Sequence, residues 1–398
     1  MKLLLAHEHY RSGAPSGEDG VYNNERQLLE SMGVEVIPFE YFNDHLDDST
    51  LSGKVRIALE ASWSRPSYKK LGELLDRTRP DIAHFHNTFP AMSPSVYAAC
   101  QARGIPVVQT LHNYRLICPG ALLMREGRPC ESCVGKLPLT ALRYRCYRDS
   151  LPATAAAVLM LASNRARGNY QHLVDRYIAL TEFGKSRFVA GGLPENRITI
   201  KPNFLPNPPS PGTGKGNYAV YVGRLSAEKG IRTLVKAWRQ VKELSLIVVG
   251  DGMLMEELRA QVQTDDSNVQ FVGRKNQSEV MDYIGKAVVQ IIPSECYEGF
   301  PLTLLEAYAC GTPVLASRSG ALAEIVKVGY TGLTFTPGDA SDLTIKLSEL
   351  LSNQDRLSAM RKAARAEFDA HYTPECGWRN LQQIYGELLP AGWDKQLR

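Results

Sequence analysis

Strand-like and helix-like segments alternate from the first residue of this chain, and the same alternation starts afresh near residue 217; few architectures accept such a pattern. In the first series Lys2–His7 reads as a buried strand, Glu18–Met32 as a helix closed by Gly33, and Val34–Phe39 as a second strand. It continues with Asp81–Asn87, a helix about Pro94–Arg103 closed by Gly104, and a strand over Ile105–His112. The second series opens with Tyr218–Leu225 and runs through helices near Ile231–Val241, Met253–Val262, Gln277–Ala287, Pro301–Ala309 and Ala321–Val326, with short apolar strands between them. Strands linked by helices pair in parallel and are covered on both faces, so each series predicts one α/β domain. Between them, Lys201–Gly212 is proline-rich, cannot continue a helix or a central strand, and reads as a linker. The expected domains are therefore residues 1–202 and 203–374, with 375–398 a helix returning to the first domain.

Length agrees, because 398 residues exceed one ordinary core. A net charge of +4 is too small for a nucleic-acid partner. The apolar start is too short for a signal peptide, and Leu151–Ala162 falls short of the roughly 18 residues that span a bilayer, which predicts a cytoplasmic protein. Basic residues outnumber acidic ones between Arg103 and Arg148, as a solvated face or as a patch for an anionic acceptor or membrane surface. The Leu151–Ala162 segment, flanked by Arg145, Arg148, Arg165 and Arg167, reads first as a buried helix and second as a peripheral membrane contact.

Two loops carry the chemistry. Ser294–Ala307 follows a strand and enters a helix: Gly299 permits close backbone approach, Pro301 suits the first turn, and the exposed amides there form an anion site. Glu298 in the loop and Glu306 in the helix can reach different hydroxyl groups of one elongated ligand. The second loop, Val222–Gly230, offers Arg224 as a planar fork and Lys229 as a point charge, both suited to a departing pyrophosphate. Taken alone, each loop is an ordinary surface turn.

Together these stretches resemble family 4 of the retaining glycosyltransferases, whose GT-B fold sets two facing Rossmann-like domains about an interdomain cleft. The resemblance rests on Glu298 and Glu306 eight residues apart, the Arg224/Lys229 loop, Gly250-Asp251-Gly252, Gly273-Arg274, Thr110-Leu111-His112-Asn113 and Gly311-Thr312-Pro313-Val314. It implies a nucleotide-diphosphate sugar as donor, UDP before GDP, and a sugar or lipid-linked glycan as acceptor in polysaccharide or glycoconjugate synthesis. It also implies that Glu306 binds the ribose, Glu298 the transferred sugar, and Arg224 and Lys229 the diphosphate. Gly223, Gly250, Asp251, Gly273, Arg274, Gly299, Phe300, Pro301 and Leu302 would line the donor site, and His112 would face the sugar. Gly17 would line it too, although the turn from His9 to Gly20 is longer than the family's. A non-hydrolysing epimerase and a silent binding module are the rival readings. The chain has no Asp-x-Asp triplet, so no catalytic metal is expected.

His84 and His86 alternate on one strand; His84 reads as packing, and His86 as packing or site. Four of eight cysteines cluster as Cys118, Cys130, Cys133 and Cys146, a set that suits structural zinc or merely proximal thiols.

Overall fold

The computed structural model describes residues 1–12, 16–46, 49–264 and 268–394. They form two compact units: residues 1–123, 131–206 and 374–398 make the first, and 124–130 with 207–373 the second.

In the first unit six strands pair in parallel: β1 (Lys2–His9), β2 (Glu35–Phe42), β3 (Ile82–Phe85), β4 (Val107–Thr110) and, after a short hairpin of β5 (Met124–Arg125) and β6 (Arg128–Pro129), β7 (Arg176–Ala179) and β8 (Ile198–Ile200). The spatial order is β2-β1-β3-β4-β7-β8. Leu3 to Ala6 are wholly buried, as a central strand covered on both faces must be. Pro38 is tolerated because β2 lies at the sheet edge, where one row of amide hydrogens goes unused. Leu28 and Leu29 of the first helix, Gly17–Ser31, share a core with Trp378, Leu381 and Tyr385 of the last helix, Pro374–Gly386. The first helix starts at a capping box in which Ser16 accepts from the Glu18 amide and Asp19 accepts from the Ser16 amide.

The second unit repeats the plan with β9 (Tyr218–Val222), β10 (Ser245–Val249), β11 (Val269–Gly273), β12 (Val289–Ile292), β13 (Val314–Ser317) and β14 (Gly332–Phe335), in the order β11-β10-β9-β12-β13-β14. Numbered within the unit this is 3-2-1-4-5-6, the Rossmann order, and its direction reverses between β9 and β12. In the first unit the reversal falls between β1 and β3. Ligands of open α/β sheets bind beyond the carboxyl ends of the strands at such reversals, so topology alone marks two places to examine.

The structure departs from expectation in several places. β1 extends to His9, because His9 stacks on Phe42 with ring centroids 4.6 Å apart and bonds Glu40 of the neighbouring strand. Helices Leu51–Ser62 and Arg65–Thr78 and strands β7 and β8 were not foreseen. The proline-rich stretch is no free linker at its start: Lys201, Asn203, Phe204 and Leu205 are buried in the first unit, which runs to Pro206. The apolar helix, Leu151–Ala166, buries Thr154, Ala157, Met160 and Leu161, packs against Leu51–Ser62, and leaves Leu151 and Leu159 exposed. No described helix is long and apolar enough to cross a membrane.

Candidate functional site

In the second unit, the loops leaving β9 and β12 meet at the reversal point. Lys229 Nζ lies 2.7 Å from Glu298 Oε1, and Ser294 Oγ donates to the same oxygen at 2.5 Å. Burial pushes the Glu298 carboxyl up, but the ammonium and the hydroxyl outweigh it and hold the group below its usual range. Burial likewise pulls Lys229 down, and Glu298 more than restores it. The pair is therefore fully ionised. Beside it starts the helix Leu302–Ala309, whose cap position is Pro301 and whose first amides have no side-chain cap. Uncapped amides with a cation alongside attract an anion. Arg224 is exposed, its Nη2 3.5 Å from Glu228 Oε1, so its guanidinium is held loosely.

Glu306 sits in that helix, buried, its Oε1 accepting from Gln277 Nε2 at 2.8 Å; burial pushes its carboxyl up and the bond tempers the shift. Phe300 turns its ring onto Tyr372, centroids 5.6 Å apart, which leaves Gly299 and Phe300 to contribute backbone. Gly223 and Gly250 follow β9 and β10 and Gly273 ends β11, and backbone hydrogen bonds tie these ends together: Gly223 N–H to Val249 O, Gly250 N–H to Gly273 O. A Cβ on Gly250, at φ +140°, would fall 1.9 Å from Gly223 O. Asp251 accepts from the Gly252 amide, and its carbonyl accepts from Leu225. Arg274 is exposed at the far edge strand, away from the reversal between β9 and β12.

The first unit places His112 just past β4, in the wall of a small hollow of about 40 Å³ lined also by His86, Asn87, Phe89, Asn113 and Arg115. Arg115 is held over the rings of Phe89 and Tyr147, at 4.4 and 4.6 Å. His112 Nε2 is 2.9 Å from His86 Nδ1, and His86 Nε2 is 3.1 Å from Glu25 Oε1. Glu25 Oε2 lies 2.9 Å from Lys201 Nζ. Burial, then His86, holds the His112 ring well below its usual range, and burial takes His86 down to about 4 despite Glu25. Glu25 stays ionised because Lys201, His84 and His86 together outweigh its burial. His84 is a packed residue with satisfied nitrogens, 2.8 Å from both Tyr385 OH and Thr110 Oγ1. Glu25 and Lys201 carried no sequence signal; only the fold brings residues 176 positions apart into contact.

At the end of β1, His7 Nε2 lies 2.9 Å from Asp19 Oδ1, and His9 bridges Asp19 and Glu40. Burial lowers His9, but the two carboxylates raise it to about 9. Gly17 begins the first helix with open space around it, so nothing within the unit requires glycine there. The remainder of the stretched turn, residues 13–15, lies outside the described residues.

Two groups of potential metal ligands converge among the described residues: His7, His9 and Asp19, and Glu25, His84 and His86. The first is a hydrogen-bond cluster, since His7 Nδ1 accepts from the Asn87 amide at 3.3 Å and Nε2 must then carry the hydrogen toward Asp19. In the second, Lys201 already supplies the cation. Of the four clustered cysteines, Cys133 packs with Ala141 and Val158, Cys146 lies against that cluster, Cys118 is buried, and Cys130 belongs with the hairpin in the second unit.

The family model described as glycosyl transferases group 1 matches residues 207–367, and that described as glycosyltransferase family 4 matches residues 26–206. An uncharacterised glycosyltransferase of Methanocaldococcus jannaschii is 30% identical over 176 residues, 44% of this chain and 49% of the relative. The sulfoquinovosyl transferase of Arabidopsis thaliana is 26% identical over 92% of this chain and 68% of its own length. The chain thus spans about half the length of the first of these relatives. Among solved structures, sucrose-phosphate synthase from Thermosynechococcus elongatus superposes with TM-score 0.72 at 19% identity, covering 98% of this chain and 99% of the other. Anabaena HepE in complex with UDP gives 0.68 at 18%, covering 97% and 100%. At such identities the likeness establishes the GT-B fold.

Proposed function

The chain belongs to the family 4 glycosyltransferases of the group 1 type, and on that footing we propose that it is a retaining hexosyltransferase taking its sugar from a nucleoside-diphosphate donor. The observation that carries the reading is the ionised Lys229–Glu298 pair beside an uncapped helix start, at the reversal point of a Rossmann sheet. The diphosphate sits on the amides of Gly299 and Phe300, with Lys229 and Arg224 as its cations. Lys229 has three donors, so it can bond a phosphate oxygen while still holding Glu298 in place for a sugar hydroxyl. Glu306 accepts from the ribose. UDP is preferred to GDP as the carrier because Anabaena HepE, alike in fold, is complexed with UDP and with UDP-glucose.

In the reaction the bond from the anomeric carbon to the phosphate oxygen breaks, and negative charge grows on that oxygen where Lys229, Arg224 and the helix start oppose it. The acceptor oxygen attacks from the same face and its proton passes to the departing phosphate. No carboxylate nucleophile and no metal enters this scheme. The acceptor is a sugar or lipid-linked glycan at the cytoplasmic membrane surface, in polysaccharide or glycoconjugate synthesis. Its support is the stripe Leu51, Val55 and Leu59, exposed on successive turns of one helix, with Lys54 and Arg56 beside it.

The test is nucleotide release from UDP-glucose and GDP-mannose with and without a glycan acceptor. Acceptor-stimulated release that falls about tenfold or more in Glu306→Gln supports the reading. Donor isomerisation without acceptor, or binding without release, would replace it by an epimerase or a silent module.

A further inference from the structure

We infer that Glu25 and His86, with Lys201 behind them, are positioning residues that hold His112 in its neutral Nε2–H tautomer, which leaves the lone pair on Nδ1 to accept from a ligand hydroxyl. The tautomer follows from hydrogen-bond geometry and burial within the first unit; its consequence for turnover rests on the proposed transfer.

Glu25 lies on the third turn of the first helix and is wholly buried. The Lys201 ammonium, equally buried, lies 2.9 Å from its Oε2, so the carboxylate is ionised and its oxygens only accept. His86 Nε2, 3.1 Å from Glu25 Oε1, must therefore carry a hydrogen. One positive and one negative charge are already balanced inside the unit, and burial opposes a further cation, so His86 is neutral and its Nδ1 is bare. That bare nitrogen lies 2.9 Å from His112 Nε2, which must then be the donor. A neutral imidazole has one hydrogen, and His112 has placed it on Nε2. Nδ1 holds the lone pair.

The fold makes the arrangement rigid. His86 follows β3 and His112 follows the adjacent parallel strand β4, and their rings lie within 23° of parallel with centroids 5.0 Å apart. Glu25 reaches them from the helix and Lys201 from the residue after β8. His84, two residues before His86, places its Nδ1 2.9 Å from the same carboxylate oxygen.

The chemical value of this chain lies in what it denies His112. A protonated imidazole could only donate; a neutral ring with a bare Nδ1 can accept from a hydroxyl. The logic is that of a carboxylate fixing the tautomer of a catalytic histidine, here relayed through a second imidazole.

The experiment uses the full chain with ¹⁵N-labelled histidine. The wild type should show His112 protonated at Nε2 and bare at Nδ1, with a scalar coupling across the hydrogen bond to His86 Nδ1; His86→Phe assigns the signals. Two double variants, each removing the ion pair as a whole, separate the relay from mere loss of a buried charge. Glu25→Gln with Lys201→Met keeps an acceptor oxygen for His86 and should keep the coupling. Glu25→Leu with Lys201→Met lacks it and should lose the coupling, and kcat for nucleotide release from UDP-glucose should fall about ten- to a hundredfold with KM within about twofold. The glutamine variant should restore most of that loss. A wild-type His112 protonated at Nδ1, or a leucine variant with wild-type kcat, overturns the inference. If no donor turns over, the proposed transfer fails while the nitrogen spectrum still decides the tautomer.

Discussion

Replacing Lys229 by methionine separates two roles that one ammonium performs. The side chain of Glu298 is 11% exposed and that of Lys229 25%, so their 2.7 Å contact lies between a surface pair and a fully buried one. Breaking a fully buried pair costs about 3–5 kcal/mol, and an exposed one contributes about 0–1. Glu298 retains the Ser294 hydroxyl at 2.5 Å, which sets the expected loss at about 1–3 kcal/mol. For a unit of this size that is a fall in Tm of about 2–10 °C. Adding Glu298→Gln removes the stranded carboxylate and should return most of the stability. It should not return nucleotide binding, because the phosphate cation is still missing. Differential scanning calorimetry of the three proteins, with and without UDP, gives both numbers: at about a hundredfold over its Kd, UDP should stabilise the wild type by about 2.7 kcal/mol and neither methionine variant. A Lys229→Met protein that melts like the wild type, or is stabilised equally by UDP, would refute the reasoning.

Two further outcomes follow from the same structure. Glu8 is wholly buried on β1 and accepts from the Ala91 and Met92 amides at 2.9–3.1 Å; burial pushes its carboxyl from 4.5 up to about 7, the amides tempering it. Its folded value exceeds the unfolded one, so the native state binds the extra proton and stability falls as pH rises from about 4.5 through about 7. At about 1.4 kcal/mol per tenfold change in proton binding the loss is about 3 kcal/mol at most, and urea titrations at pH 5 and 8 should show it in the wild type and much less in Glu8→Gln. Gly230 stands at φ +66° with a built Cβ 1.9 Å from Pro293 O, so Gly230→Ala must move the β9 or β12 loop; it should lose more than about 1 kcal/mol of stability and weaken UDP binding, measured by thermal shift.

The alternation of apolar strands and helices was enough to place both sheets and the loops that leave β9 and β12, because parallel strands buried on both faces write themselves as short unbroken apolar runs. It missed β7 and β8: Arg176 opens the first, and Ile198–Ile200 is only three residues long, too little for periodicity to register. The charged residues of the second unit were legible because glycine and proline mark the loops that hold them. Glu25 and Lys201 were not, since one is a lone acid in an ordinary helix and the other opens a stretch whose prolines suggested a linker. His86 could not be decided from alternation, for what matters is the ring nitrogen it meets on the next strand. The cysteines could not be decided from spacing either, since spacing does not say which side chains pack together, as Cys133 does with Ala141 and Val158.

The central claim is that Arg224, Lys229, Glu298 and Glu306 hold a nucleoside-diphosphate sugar at the reversal point of the second sheet. Calorimetric titration of UDP and GDP into the wild type and into Arg224→Ala/Lys229→Ala tests it most directly. One site per chain in the wild type, weakened at least about tenfold without the two cations, is the predicted result. Undiminished binding by the double variant, or no binding of either nucleotide by the wild type, would contradict it.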